Sequence, residues 1–420
     1  MPRVSVVIAA YNAAAWIVPT IRSALLQTWP AEEIIVVGDG CTDGTGDVLA
    51  STFGAAIRWT DLGRNSGGQS LPNNEGIRLS RGTHVAYLGH DDIWSPRHLE
   101  CLAGVIRAQD PDFAVSGAVY HGPPGSRFYH ITGLFDDPRT AGREFFFPPS
   151  SFCHRRDVVD RIGGWREPGG LHAPADCEFL LRAAGAGCTF ATTGTITVHK
   201  FAAGHRYLSY RFPSGREQER MLDRLAAPGG EARLLDDIRT DIAKGADCPP
   251  VRYVDFERYA PGELYRKNLR TKGIDRASLT LVDEPRRFVV DHSPAGLDWH
   301  ELEKDPVRGP FRWSGPNPHP RYLLDVRVER GFALRIRLLG FAEPHLAASL
   351  TLDVNGRDAP FVMERHADGS FTLDVAPVDE PADDGIVVGF HLPRCGRLWN
   401  DLRQKRAGIA LSGIEVLPRR

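Results

Sequence analysis

Long apolar runs are missing from this sequence, and so are paired cysteines and any surplus of basic charge. A membrane-spanning helix needs about 20 consecutive apolar residues. The opening stretch, "MPRVSVVIAAYN", turns polar at Tyr11 and Asn12 after a short apolar segment and carries no leader-type cleavage pattern. The expected location is cytoplasmic, with peripheral attachment at the inner face of a membrane and homo-oligomer association both left open. Seven cysteines, at 41, 101, 153, 177, 188, 248 and 395, are odd in number, scattered, and nowhere spaced C-x-x-C. That argues against a disulfide framework or a structural zinc site and suits a reducing compartment. With 51 Lys+Arg against 53 Asp+Glu the net charge is −2, and without a broad basic field no nucleic-acid partner is expected.

What remains is an ordinary folded composition, 25% charged and 42% hydrophobic over 420 residues, enough for two or three domains with their own cores. Three regions are expected. Over 1–204, the apolar runs "VSVVIAA", "EIIVVG" and "HVAYLG" read as buried strands, Val- and Ile-rich on both faces, as in a parallel sheet covered by helices. Between the first two, Ile17, Ile21, Ala24 and Leu25 recur at helical spacing, and Pro19 requires that helix to begin near Ile17. Over 205–284 the chain is charge-rich and helical in pattern, broken at "APGG" and "DCPP", and reads as a helical connecting region. Over 285–420 the period becomes two, with Phe332, Leu334, Ile336 and Leu338 alternating against Ala333, Arg335 and Arg337, and with turn signals at Asn355-Gly356 and Asp368-Gly369. A β-sandwich is expected there. Its Trp299, Trp313 and Trp399 could stack on sugar rings, but tryptophans in small β-domains are more often core anchors.

In doubly wound sheets, ligands bind beyond the carboxyl ends of the strands. Here those ends carry Tyr11-Asn12, Asp39, and His90-Asp91-Asp92. One carboxylate would suffice to cap the helix that follows. Two adjacent ones suit a hard divalent cation, Mn²⁺ or Mg²⁺, which completes its shell with water and substrate phosphates. Further along, Asp176 and Glu178 open an amphipathic helix, where both also suit the positive end of the helix dipole.

The stretches "VSVVIAAYN", "SALLQTWPAEEIIVVGDGCTDGT" and "NSGGQSLPNNEGIRLSRGTHVAYLGHDDIW" resemble, in order and spacing, the nucleotide-binding half of the inverting family-2 glycosyltransferases of GT-A fold; the resemblance covers about residues 3 to 200. It implies a Rossmann-like α/β sheet with flanking helices. It also implies a nucleotide-sugar donor, with UDP-sugars favoured, and a glycan or glycoconjugate acceptor, in the setting of bacterial surface polysaccharide synthesis. On this resemblance Asp39 contacts the base, the loop of Ala10, Tyr11 and Asn12 forms the nucleotide pocket, and Asn74 falls in a donor-binding segment. Asp92 is the main metal ligand, Asp91 lies near the donor ribose or sugar, His199 is a further metal or phosphate ligand, and Asp176 is the base that takes the acceptor proton. Trp165 falls in the acceptor-side segment, where a core role is the plainer reading. The 121–150 segment and the loop after 199 are candidates for closing over the site.

Departures are visible too. Gly38 and Cys41 stand where relatives carry an acid and a serine, Asn73 where they carry an arginine, and Gly89-His90 where many have another acid. Two other classes compete: a nucleotidyltransferase, which lacks its Gly-rich Arg/Lys signature here, and a non-catalytic glycan- or nucleotide-binding protein derived from the same fold.

Overall fold

Strands with no polar face can lie only in the middle of a covered sheet, and the first three apolar runs do. In the structure, a computed structural model describing residues 1–250, 255–274, 279–290, 297–398 and 405–419, they form β1 (Val4–Ala10), β2 (Glu33–Gly38) and β4 (His84–Tyr87), with β3 (Arg58–Asp61) at the edge. The short β5 (Ile93–Trp94) and the long β6 (Phe113–His121) follow, then β7 (Tyr129–Thr132), β8 (Phe152–Arg155) and β9 (Phe190–Lys200). The described sheet runs β3-β2-β1-β4-β8-β6-β9-β5, with β7 on β6. The strands β3, β2, β1 and β4 pair in parallel, and β8 is antiparallel to both its neighbours. This is the expected GT-A arrangement: a Rossmann-like half joined to a mixed half. Ile8, Ile35, Val36, Val37, Val85 and Ala86 are each 0% exposed, and at about 1.5–3 kcal/mol per large aliphatic side chain such strands anchor the layer.

Helices cover the sheet. α1 (Ile17–Leu25) starts at the residue Pro19 demands, followed by α2 (Thr45–Phe53), α3 (Ser70–Leu79), α4 (His98–Gln109), α5 (Val158–Ile162) and α6 (Ala175–Gly185). Two more, α7 (Arg216–Ala226) and α8 (Gly230–Ala243), place Met221, Leu225, Leu234 and Ile238 in a cluster with Ile93, Val119 and Phe201.

The chain divides into two compact units: Met1–His121 with Tyr129–Ala202 and Pro213–Lys267, and Gly122–Phe128 with Ala203–Phe212 and Asn268–Arg420. The region 205–284, expected as one helical connector, is thus shared out between them. The segments expected to close over the site are shared as well, with 129–150 in the first unit and 122–128 and 203–212 in the second. Among the described residues of the second unit, seven strands including Phe332–Phe341 and Ile409–Pro418 form one sheet, and four including Ile386–His391 form another. They share a core of Leu334, Ile336, Leu338, Val388, Phe390 and Ile414. The turn Asn355-Gly356, with φ of 52° and 82°, joins Val354 to its partner Arg357 as a tight hairpin. Trp299 is 6% exposed and donates to the Arg321 carbonyl at 2.6 Å, so it is a core anchor. Trp313 is half-buried, and Trp399 lies outside the described residues.

Candidate active site

Two loops knit together beyond β1 and β2. Asn12 sits at φ 45°, a left-handed conformation that Asn tolerates, and its side-chain oxygen accepts the Thr42 N–H at 2.8 Å. Thr45 Oγ accepts the Ala13 N–H at 2.9 Å, and Asp43 accepts the Ala14 N–H at 3.0 Å. The Asp39 N–H donates to the Ala10 carbonyl at 2.8 Å. The Asp39 carboxylate, in a residue 3% exposed, accepts the Ser66 N–H at 2.9 Å. Gly40, at φ 72°, is a required glycine, because a Cβ there would lie 2.4 Å from the Arg64 backbone. Gly38 has a specific neighbour: its Cβ would stand 2.1 Å from Asp61 Oδ2. Asp61 is the register partner of Gly38 on β3, and its carboxylate fills the space that a side chain at 38 would enter. Asp61 is held there by the N–H groups of Cys41 and Gly63, at 3.1 and 2.6 Å.

Beyond β4, the chain turns sharply into Asp91 and Asp92. Asp92 is 0% exposed. Its Oδ2 accepts the Ser150 hydroxyl at 2.5 Å and the Lys200 ammonium, while its Oδ1 is buried with no hydrogen-bond partner. Ser150 also accepts the Gly89 N–H at 2.9 Å, and its carbonyl accepts the Trp94 indole N–H at 2.7 Å, which fixes the turn from outside. A Cβ at Gly89 would come within 2.5 Å of Asp92 Oδ2, so a larger residue there would displace the carboxylate. His90 turns toward β1, its Nδ1 3.1 Å from the Ala9 carbonyl.

Asp176 opens α6 and its carboxylate accepts the Cys177 N–H at 3.0 Å. Burial raises its pKa, opposed by that N–H and by the charge of Lys200. Burial also raises Asp92, with Lys200 pulling it back and Asp91 pushing it further up. One lysine therefore lies in electrostatic reach of both carboxylates. Tyr120, register partner of Lys200, is driven well above its usual range by burial and by the charges of Asp176, Asp92 and Asp91. The structure brings Asp91, Asp92 and Asp176 around Lys200 and Tyr120.

Two expected site residues go elsewhere. Asn74 spends its amide on Trp165, accepting that N–H at 2.8 Å and donating to that carbonyl at 2.9 Å; it clamps a loop instead of facing a donor. His199 is 0% exposed, with Nε2 3.2 Å from Ser95 Oγ and Nδ1 3.2 Å from His121 Nε2, and burial holds its pKa down at about 3. Successive strand residues point to opposite faces, so on β9 the residue that reaches Asp92 is Lys200, one position on from His199. Trp165, 4% exposed, stacks on Phe179 at 4.6 Å and is core. Burial pushes the thiols of Cys41 and Cys177 up, away from nucleophilic character. Lys200, Ser150, Tyr120 and Asp61 carry no signal in the local sequence pattern, though strand parity could have singled out Lys200 over His199.

For a divalent cation, the fit rests on one observation. Asp92 Oδ1 is a buried acceptor without a partner beside a second carboxylate, Asp91. Among the described residues no three His, Cys, Asp or Glu side chains form a closed cage. That suits an ion held by one or two carboxylates and by substrate phosphates.

Residues 5–163 match the family model described as glycosyl transferase family 2. An uncharacterized glycosyltransferase of Nostoc sp. is 29% identical over 175 residues, 38% of this chain and 53% of that protein. The Bacillus subtilis protein TuaG, named for teichuronic acid biosynthesis, is 33% identical over 134 residues, 31% of this chain and 53% of its own. The chain thus spans about half the length of these relatives, and 18% of an uncharacterized glycosyltransferase from Rickettsia felis. A crystal structure of Staphylococcus aureus TarS 1-349 with UDP aligns with TM-score 0.39 at 17% identity, over 64% of this chain and 69% of that one. No helix among the described residues is long and apolar enough to cross a membrane. The similarity to glycosyl transferase family 2 thus lies in residues 5–163, nearly all of them in the first unit of this chain.

Proposed function

We propose that the first unit transfers a sugar from a nucleotide-diphosphate donor, a UDP-sugar in the first instance, to a hydroxyl of a glycan or glycoconjugate, with inversion at the anomeric carbon. The observation that carries this reading is the convergence of Asp91, Asp92 and Asp176 about Lys200 and Tyr120 beyond the strand ends. The match of residues 5–163 to the family-2 model and the name of the similar protein TuaG support a role in surface polysaccharide synthesis.

In this mechanism Asp176 takes the proton of the acceptor hydroxyl as its oxygen attacks, and a carboxyl whose pKa burial has raised is a stronger base for that task. Asp39 faces the base, and the Tyr11-Asn12 loop seats the nucleoside. A divalent cation, Mn²⁺ or Mg²⁺, when bound through Asp92 and Asp91, supplies positive charge to the departing diphosphate. Ser150 and Lys200 hold the Asp92 carboxylate in place for it. The test is a donor screen with UDP-, GDP- and TDP-sugars, reading nucleotide release with and without acceptor. Release that depends on acceptor and vanishes in Asp176→Asn supports the reading, and failure of every donor to react or bind refutes it.

A further inference from the structure

The geometry points to Lys200 as a direct binding residue for the donor's diphosphate, a cation built into the end of β9 beside the carboxylate pair. This rests on the transfer reaction proposed above and adds a contact to it.

Three features of Lys200 carry it. An ammonium has three N–H donors. The hydrogen bond recorded for this one among the described residues goes to Asp92 Oδ2, and the Tyr120 ring lies 5.5 Å from Nζ. Donors are therefore left over for oxygens that arrive with a ligand. The exposures give the pair a direction, because the Lys200 side chain keeps 13% of its surface open while that of Asp92 keeps 0%. The solvent-open surface of the pair therefore belongs to the lysine. The charge of Lys200 also acts on both Asp92 and Asp176, so the carboxylate pair and the proposed base share this one cation.

Stability does not account for the arrangement. A buried ion pair is seldom worth more than the apolar residues that could replace it. A pair kept for the fold alone would also not leave one carboxylate oxygen, Asp92 Oδ1, buried and unmet. The ligand chemistry that answers both unmet groups is a diphosphate, whose oxygens take the spare ammonium donors while a cation it carries takes Oδ1. Lysine is a suitable phosphate binder because its compact point charge needs no fixed fork geometry.

The experiment measures the affinity of the full chain for UDP, inorganic pyrophosphate and uridine, with Mg²⁺ and with chelator, in wild type, Lys200→Met and Lys200→Arg. The expected result is a loss of about tenfold or more for UDP and pyrophosphate in Lys200→Met, in both conditions, with uridine unchanged and Lys200→Arg within about threefold of wild type. Equal UDP affinity in Lys200→Met and wild type would overturn the assignment, as would a parallel loss of uridine binding. If Lys200→Met does not fold, Asp92→Asn is compared with Asp92→Asn/Lys200→Met, which lacks the stranded charge, and the same tenfold difference is expected. Pyrophosphate binding that depends on Lys200, with no nucleotide bound, would sink the transfer reaction and keep the anion contact. UDP binding indifferent to Lys200 would do the reverse.

Discussion

Each unit buries an aspartate, and the two are treated in opposite ways. Asp298 in the second unit is 1% exposed, yet both its oxygens are met: Oδ1 by the Asn317 side-chain N–H at 2.8 Å and Oδ2 by the Arg321 backbone N–H at 2.8 Å. Asp92 in the first unit is 0% exposed, with one oxygen shared by a hydroxyl and an ammonium and the other by nothing. A carboxylate retained for the fold is completed by the chain's own donors, because an unmet buried acceptor costs about 1–3 kcal/mol. Under the proposed transfer reaction, the incomplete carboxylate of Asp92 is retained for what binds there.

The largest effect that would test this contrast lies at the proposed base. Asp176→Asn should lower transfer by about 10³-fold while leaving nucleotide affinity near wild type, as expected for a general base; steady-state rates paired with UDP titration read both. Equal loss of rate and affinity would make Asp176 a structural cap of α6. Next comes the direct comparison. Asp92→Asn should cost about 10²-fold in transfer through lost electrostatic stabilisation, whereas Asp298→Asn should leave the rate of the folded protein unchanged and lower its melting temperature. If Asp298→Asn impaired turnover without loss of stability, the division between the two carboxylates would fail.

Much of this could be read from the chain, and the parts that could not share a cause. The strands ending at Ala10, Gly38 and Tyr87 are legible because runs rich in Val and Ile, buried on both faces, have few alternatives. The positions of Asp91, Asp92 and Asp176 follow from where strands end and a helix begins. Their partners do not. Lys200 meets Asp92 across 108 residues, and Ser150 across 58, and no local periodicity encodes such contacts. Asn74 misleads for the same reason: its amide is consumed by Trp165, 91 residues away. The assignment of 203–212 to the second unit rests on Tyr207 and Leu208 packing with Val387, again a contact that sequence spacing does not announce.

The two carboxylates should also differ in what pH does to stability. Burial holds the Asp298 pKa up at about 6, above the roughly 3.9 of an unfolded aspartate. Folding therefore favours the protonated form. The stabilisation is fully present below about pH 4 and is lost as pH rises through 6, a span of about 2–3 kcal/mol. Asp298→Asn cannot titrate. Denaturation midpoints at pH 7.5 and 5.0 should show wild type gaining stability relative to this variant on acidification, and a gap that stays constant would mean that Asp298 is ionised throughout. For Asp176, removing the Lys200 charge that lowers its pKa should move the acid limb of the rate profile to higher pH in Lys200→Met.

The smallest expected effect concerns the other strand end, where the carboxylate beside Gly38 comes from the neighbouring strand. Gly38 leaves room that Asp61 Oδ2 fills from the neighbouring strand, and any side chain at 38 would begin 2.1 Å from it. Gly38→Ala should therefore destabilise by about 1–3 kcal/mol, as overpacking does, and Asp61→Gly should relieve the part of that cost owed to the carboxylate, the Trp59 ring still standing 2.5 Å from the new Cβ. If the carboxylate matters to the donor and its strand of origin does not, Asp61→Gly alone should weaken UDP binding about threefold to fivefold, the scale of one exposed polar contact. Gly38→Asp/Asp61→Gly should then return affinity toward wild type, because the new side chain enters the space the old one leaves. Recovery of stability without recovery of affinity would assign Asp61 to the loop it holds through the Cys41 and Gly63 N–H groups, leaving Asp39 as the carboxylate at this end that faces the nucleotide.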